Sequence, residues 1–111
     1  MPCKARIDAP GALNHIIIHG IERKAIFKDN ADRANFLERL GRIVSETNTG
    51  CYAWVLMTNH VHLLLKTGVT PIATVMRRLL IGYAVSFNRR HQRHGQLFQN
   101  RYKFFLCEED V

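Results

Sequence analysis

Apolar positions along this chain switch between two periods, and each switch marks the boundary of a predicted element. Ala12 to His19 (ALNHIIIH) is rich in β-branched residues and lies between Gly11 and Gly20, which predicts a buried first strand. Past the charged segment from Glu22 to Lys28, Asp29 or Asn30 can accept the first free amide hydrogens of a helix. Phe36, Leu37, Leu40, Ile43 and Val44 recur there at helical spacing, and the helix ends before Gly50. Cys51 to Met57 (CYAWVLM) and His60 to Lys66 (HVHLLLK) read as two strands separated only by Thr58 and Asn59, which makes a hairpin.

Thr70 and Pro71 supply a cap and a favoured first helical residue, and Ile72, Val75, Met76, Leu79, Leu80, Tyr83 and Phe87 then follow a 3.6-residue period to about Arg90. His91 to Gln96 reads as a loop and Arg101 to Cys107 (RYKFFLC) as a last strand. Glu108, Glu109 and Asp110 resemble the acidic first turn of a third helix, cut off at Val111. Strand, helix, strand, strand, helix, strand is the order of the α+β, ferredoxin-like split βαβ fold, an antiparallel sheet with both helices on one face. The expectation is one domain over residues 1–111, with no repeat and no linker.

Composition narrows the class. With 111 residues and 47% hydrophobic content there is room for one core and no membrane-length apolar run, so a soluble, cytoplasmic chain without a membrane partner is expected. Cys3, Cys51 and Cys107 are odd in number and far apart, which signals buried thiols rather than a disulfide framework or a zinc site. A net charge of +7 points to an anionic partner such as nucleic acid.

The charge is unevenly placed. All nine acids lie at or before Glu46 or at Glu108 to Asp110, so Thr47 to Cys107 carries no carboxylate side chain. That stretch holds Lys66, Arg77, Arg78, Arg89, Arg90, Arg93, Arg101 and Lys103, with His91, His94, Phe87, Phe98 and Tyr102 among them. Lacking carboxylates nearby in sequence, these cations are expected to be free to meet phosphates, with Arg89 and Arg90 at the exposed end of their helix. A merely solvated basic surface is the plainer reading.

Side chains alternate across a strand, so His60 and His62 share one face while Val61, Leu63 and Leu65 take the other, against the helices. Two imidazoles at this spacing can share a divalent ion but need a further ligand; by spacing alone they are ordinary sheet histidines. His15 and His19 share a face of the neighbouring first strand, where His15 could hydrogen-bond the pair, and Asn59 beside it is another candidate for such support. Of the three tyrosines, Tyr83 fits the apolar stripe of its helix, Tyr102 suits base stacking and sheet packing equally, and Tyr52 has no motif. No P-loop, dinucleotide fingerprint, nucleophile elbow or H-E-x-x-H occurs.

Four segments taken together carry a resemblance: His15 to Gly20 (HIIIHG), Met57 to Leu65 (MTNHVHLLL), Tyr83 to Asn88 (YAVSFN) and Gly95 to Tyr102 (GQLFQNRY). In this order, across nearly the whole chain, they resemble the REP-associated tyrosine transposases of the HUH endonuclease superfamily. The resemblance implies a single-stranded DNA nuclease and strand-transferase domain that recognises hairpins, dimerises, and holds Mg²⁺ or Mn²⁺ on His60, His62 and a third polar ligand. It also implies a tyrosine that attacks the scissile phosphate and becomes joined to the 5′ end, with Arg77, Arg78, Arg89, Arg90, Arg93, Arg101, Tyr102 and Lys103 gripping the strand.

In that family the nucleophilic tyrosine and third ligand lie on a helix after the fourth strand, in a Y-I-x-x-N-P-like segment, and this sequence reaches Val111 before any such segment. Neither Tyr83 nor Tyr102 matches it, so the expectation is a DNA-binding, metal-presenting domain inactive alone. The alternative is a non-catalytic single-strand nucleic-acid-binding module, since the same strand order serves RNA readers. The H-x-H on an apolar strand separates the two, because a bare binder has no use for it.

Overall fold

The computed structural model describes residues 11–107. Four strands, β1 (Leu13–His19), β2 (Gly50–Met57), β3 (His60–Lys66) and β4 (Lys103–Cys107), alternate with two helices, α1 (Asn30–Glu46) and α2 (Ile72–Arg90). The sheet runs β2-β3-β1-β4 with every pairing antiparallel, the split βαβ order that the sequence predicts. The expected acidic turn at Glu108 to Asp110, like Cys3, lies outside the described residues.

The period-2 pattern of β1 and β3 decides which face is covered. Ile16, Ile18, Val61, Leu63 and Leu65 are all at most 1% exposed and pack under α1 and α2. Burying such side chains contributes about 1.5–3 kcal/mol each, which holds the register: a one-residue slip would send them all to solvent. From the helices, Phe36, Leu40, Val75, Met76 and Leu79 fill the same layer. Tyr83 sits at its centre with Phe27 and Phe36, its hydroxyl donating to the Ile26 carbonyl at 2.5 Å.

Two boundaries differ from the sequence expectation. Thr70 does not cap α2: Pro71 occupies the cap position, Ile72 is the first helical residue, and the Pro71 carbonyl accepts from Thr74 and Val75. The last strand begins at Lys103 rather than Arg101, because the preceding segment is tied elsewhere. Ile21 donates to Leu97, and Gln99 to His19, so residues 97–99 clasp the end of β1 before the chain turns into β4. Arg101 and Tyr102 therefore precede the strand, and Tyr102 packs half-buried against the core. At the start of α1 the expected cap is present, Asp29 accepting from the Asp32 amide at 3.0 Å.

The segment between β1 and α1 is tightly bent and anchored at both ends. Ile21–Arg23 form a single 3-10 turn in which Glu22 and Arg23 both take left-handed backbone angles. Its flanks are fastened to the β2–β3 turn, Gly20 donating to the Asn59 carbonyl at 2.9 Å and Ile26 to Thr58 at 2.8 Å. Gly20 is needed there: a Cβ on it would stand 2.2 Å from the Lys24 carbonyl oxygen.

Candidate functional site

The helices cover one face of the sheet and leave the other open among the described residues. On that open face His15 and His19 of β1 stand beside His60 and His62 of β3, because the antiparallel register places His19 opposite His60 and Ile17 opposite His62. The His60 and His62 rings lie edge to face with centroids 5.1 Å apart, His19 stacks on His60 at 5.4 Å, and His15 lies edge to edge with His62, centroids 5.3 Å apart and planes 26° apart.

Each ring of the pair has a partner on Nδ1. His60 Nδ1 lies 2.9 Å from Asn59 Oδ1, and His62 Nδ1 lies 3.1 Å from His15 Nε2. Asn59 is held in turn, its side-chain amide donating to the Arg23 carbonyl at 3.2 Å. Partial burial, then the neighbouring His60 and His15, push the His62 imidazole below its ordinary value. Burial, followed by His60, Lys103, Arg23 and His62, does the same for His19. In both rings this favours the neutral form, the one in which an imidazole can ligate a metal.

Around the histidines the face is apolar. A groove of about 590 Å³ runs beside them, lined by Ala53, Val55 and Met57 of β2, Leu64 of β3 and Cys107 of β4. Cys51 and Cys107 are half-buried free thiols rather than fully buried ones. The sequence reading did not anticipate this apolar border, although Leu64 in HVHLLLK already falls on the histidine side by alternation. Among the described residues no group of three His, Cys, Asp or Glu side chains converges on one point.

The basic residues are not gathered at the histidines. Lys103 is on the open face, opposite Ile17. Arg77, Arg78, Arg89 and Arg90 belong to α2 in the other layer, and Arg77 borders a groove of about 490 Å³ shared with Leu80, Gln96, Gln99 and Tyr102. The expectation that a carboxylate-free stretch leaves its cations unpartnered is corrected here, because the helix pairing brings acids from α1. Arg78 bonds Glu46 at 2.5 Å. Arg90 donates to Asp29 at 2.7 Å and to Asp32 at 2.6 Å. Arg93 is turned back onto its own loop, donating to Asn88 Oδ1 and to the Gly95 and Gln96 carbonyls. Arg77, Arg89, Arg101 and Lys103 are exposed and have no ion-pair partner among the described residues.

A small α+β domain of the split βαβ type, with a histidine cluster on the sheet face its helices leave open, is the class that fold and site define. Residues 11–111 match the family described as Transposase IS200 like, and the chain belongs to that family. No curated protein matches it in sequence. Among solved structures, a REP-associated tyrosine transposase bound to a REP hairpin superposes with a TM-score of 0.72 over 99% of this chain at 12% identity. The chain spans 64% of the length of that protein. A candidate transposase from Deinococcus radiodurans R1 superposes with a TM-score of 0.70 at 20% identity, over 97% of this chain and 88% of its own. At these identities the two likenesses speak for the fold.

Proposed function

We propose that this chain is the DNA-binding, metal-presenting domain of a cytoplasmic transposase of the HUH type, acting on single-stranded or hairpin DNA by tyrosine-mediated cleavage and strand transfer. The observation that carries the reading is the placing of His60 and His62 side by side on the open sheet face of a domain that belongs to the IS200-like family. The hairpin in the neighbour's structure supports the choice of nucleic acid.

In this reading His60 and His62 hold Mg²⁺ or Mn²⁺ together with a third polar group, since no third His, Cys, Asp or Glu converges with them among the described residues. Two imidazoles fit such an ion as a partial ligand set. The bound ion would supply Lewis-acid polarisation of a phosphoryl oxygen. The chain's own contribution is to hold the two rings through Asn59 and His15 and to border them with apolar side chains that thin the water around a phosphate. A homodimer belongs to the same proposal: β2 is a sheet edge, and Tyr52, Trp54 and Val55 on it are at least half exposed.

Strand binding rests on the cations that have no ion-pair partner among the described residues. If Arg77, Arg89, Arg101 and Lys103 each meet one phosphate of a single strand, affinity should fall about 50-fold between roughly 50 and 200 mM salt. Replacing Arg77 and Arg89 by Ala should weaken binding and flatten that dependence, whereas Arg90, tied to Asp29 and Asp32, is a poor probe because its loss also unclasps the helices. Filter binding with a hairpin-bearing oligonucleotide measures both. Absence of binding at low salt would sink the proposal.

A bare single-strand binder is the second reading. It is favoured by one observation: among the described residues no third His, Cys, Asp or Glu converges on the pair. It leaves the paired histidines without a purpose.

A further inference from the structure

The hydrogen bonds behind the histidine pair determine which nitrogen of each ring can carry a lone pair. We propose that Asn59 and His15 are positioning residues that fix His60 and His62 as Nδ1–H tautomers, leaving Nε2 on both rings unprotonated. The inference deepens the reading of the pair as metal ligands: it rests on that reading for its purpose and for the choice of His62 as donor, whereas the His60 assignment follows from hydrogen-bond geometry alone.

His60 is fixed from the backbone outward. Glu22 and Arg23 hold two successive left-handed conformations, each costing about 1–2 kcal/mol for a residue with a side chain. The turn they make brings the Arg23 carbonyl within 3.2 Å of the Asn59 side-chain nitrogen. A carbonyl only accepts, so the atom facing it must be Nδ2, and the amide's other atom, Oδ1, is the one 2.9 Å from His60 Nδ1. Oδ1 has no hydrogen to give. The ring nitrogen therefore donates, and the proton of a neutral His60 sits on Nδ1. Rotating the amide by half a turn would set Oδ1 against the Arg23 oxygen and the NH₂ against the ring, and would lose the first bond outright.

His62 is held by a partner that could act either way. Its Nδ1 and His15 Nε2 are 3.1 Å apart and share one hydrogen. Were His15 the donor, neutral His62 would carry its own proton on Nε2 and could not ligate through that atom. With His62 as donor, His15 accepts on Nε2 and keeps its proton on Nδ1. Only this second arrangement gives both rings the same free nitrogen. The two rings lie edge to edge, their planes 26° apart and their centroids 5.3 Å apart, as a ring-to-ring hydrogen bond requires, and Phe105 packs 6.0 Å from the His15 ring. In water a neutral imidazole prefers the opposite, Nε2–H form, so two Nδ1–H rings side by side would be a state imposed by their surroundings.

Long-range ¹H–¹⁵N correlation on the histidine-labelled whole chain, metal-free and at a pH where the rings are neutral, reads each tautomer directly. His60 and His62 should both show a protonated Nδ1 and an unprotonated Nε2. N59A should shift His60 towards Nε2–H and leave His62 unchanged, H15A should do the converse, and N59D, which gives up the bond to the Arg23 carbonyl but keeps an acceptor oxygen for the ring, should retain the wild-type pattern at His60. With Mn²⁺ alone as the probe, N59A and H15A should each bind about 10–100-fold more weakly than wild type, and N59D should not. A wild-type His60 protonated on Nε2, or tautomers unmoved by N59A and H15A, would overturn the inference. Wild-type tautomers as described in a chain that takes up no Mn²⁺ would instead uphold the inference and remove the metal reading.

Discussion

A D32A variant is expected to melt about 10–20 °C below the wild-type chain, the loss of about 2–4 kcal/mol in a domain of this size. Asp32 is 1% exposed, yet it is charged, and three donors explain why. Its carboxylate accepts from the Lys28 amide at 2.8 Å, from Arg90 at 2.6 Å and from His91 at 2.9 Å, so one side chain ties the start of α1 to the end of α2. Alanine removes the acceptor and leaves the Lys28 amide and the His91 imidazole without their partner in a partly buried place, the costly half of a broken hydrogen bond. Burial alone would raise the Asp32 carboxyl; the Lys28 amide, His91 and Arg90 more than offset it and hold it below the ordinary value. Arg90, with the Asp32 amide, lowers Asp29 as well. A depressed carboxylate stabilises the fold above its unfolded value and loses that contribution as pH falls through the folded one. The wild-type chain should therefore lose stability in the acid range below about pH 4, and D32A should show a shallower acid dependence. Equal melting temperatures by circular dichroism at pH 7 would show that the clasp contributes nothing.

The second large effect is a complete loss. Incubated with Mn²⁺ and hairpin-bearing single-stranded DNA, the 111-residue chain is expected to form no covalent protein–DNA adduct. An attacking oxygen has to stand about 3–3.5 Å from the phosphorus and in line with the leaving group. Tyr83 is fully buried between helix and sheet, its hydroxyl is committed to the Ile26 carbonyl, and burial pushes it far above the range in which it could ionise. Tyr102 lies half-buried beside α2, in the groove bordered by Arg77, in the layer opposite the histidines. Tyr52 sits at the bulge of β2, three residues from the Val55 that faces His62, roughly 10 Å along the strand. None borders the histidine groove. In the proposed reading the attacking tyrosine belongs to a helix following β4, and none of these three stands in for it. An adduct that survives denaturing electrophoresis and disappears in Y52F, Y83F or Y102F would show that one of them does.

Periodicity makes the strands and helices legible because each buries one face against a single partner layer, and alternation places His60 and His62 on the uncovered side for the same reason. Strand adjacency in the split βαβ order brings His15 to His62 across 47 positions of sequence. What the sequence conceals depends on contacts that neither period nor composition encodes. Asp29 and Asp32 meet Arg90 across about sixty residues, so the cations of a carboxylate-free stretch acquire partners only once α1 and α2 are paired. RYKFFLC alternates like a strand throughout, which sets the start of β4 too early, while the bonds from Ile21 to Leu97 and from Gln99 to His19 delay its entry into the sheet. The Arg23 carbonyl behind Asn59 is a main-chain group presented by a left-handed turn at Glu22 and Arg23, residues that do not advertise such a conformation.

The most direct test of the histidine face as a metal-presenting site is a Mn²⁺ titration of the chain with hairpin single-stranded DNA bound, followed by paramagnetic broadening of the histidine ring resonances. Bound phosphate can complete the coordination that two imidazoles begin, so His60 and His62 should broaden together and first, ahead of His91 and His94, and H62A should abolish the effect at His60 while DNA stays bound. Histidine rings that remain sharp at saturating Mn²⁺ on a DNA-bound chain would contradict the account and leave a bare nucleic-acid binder.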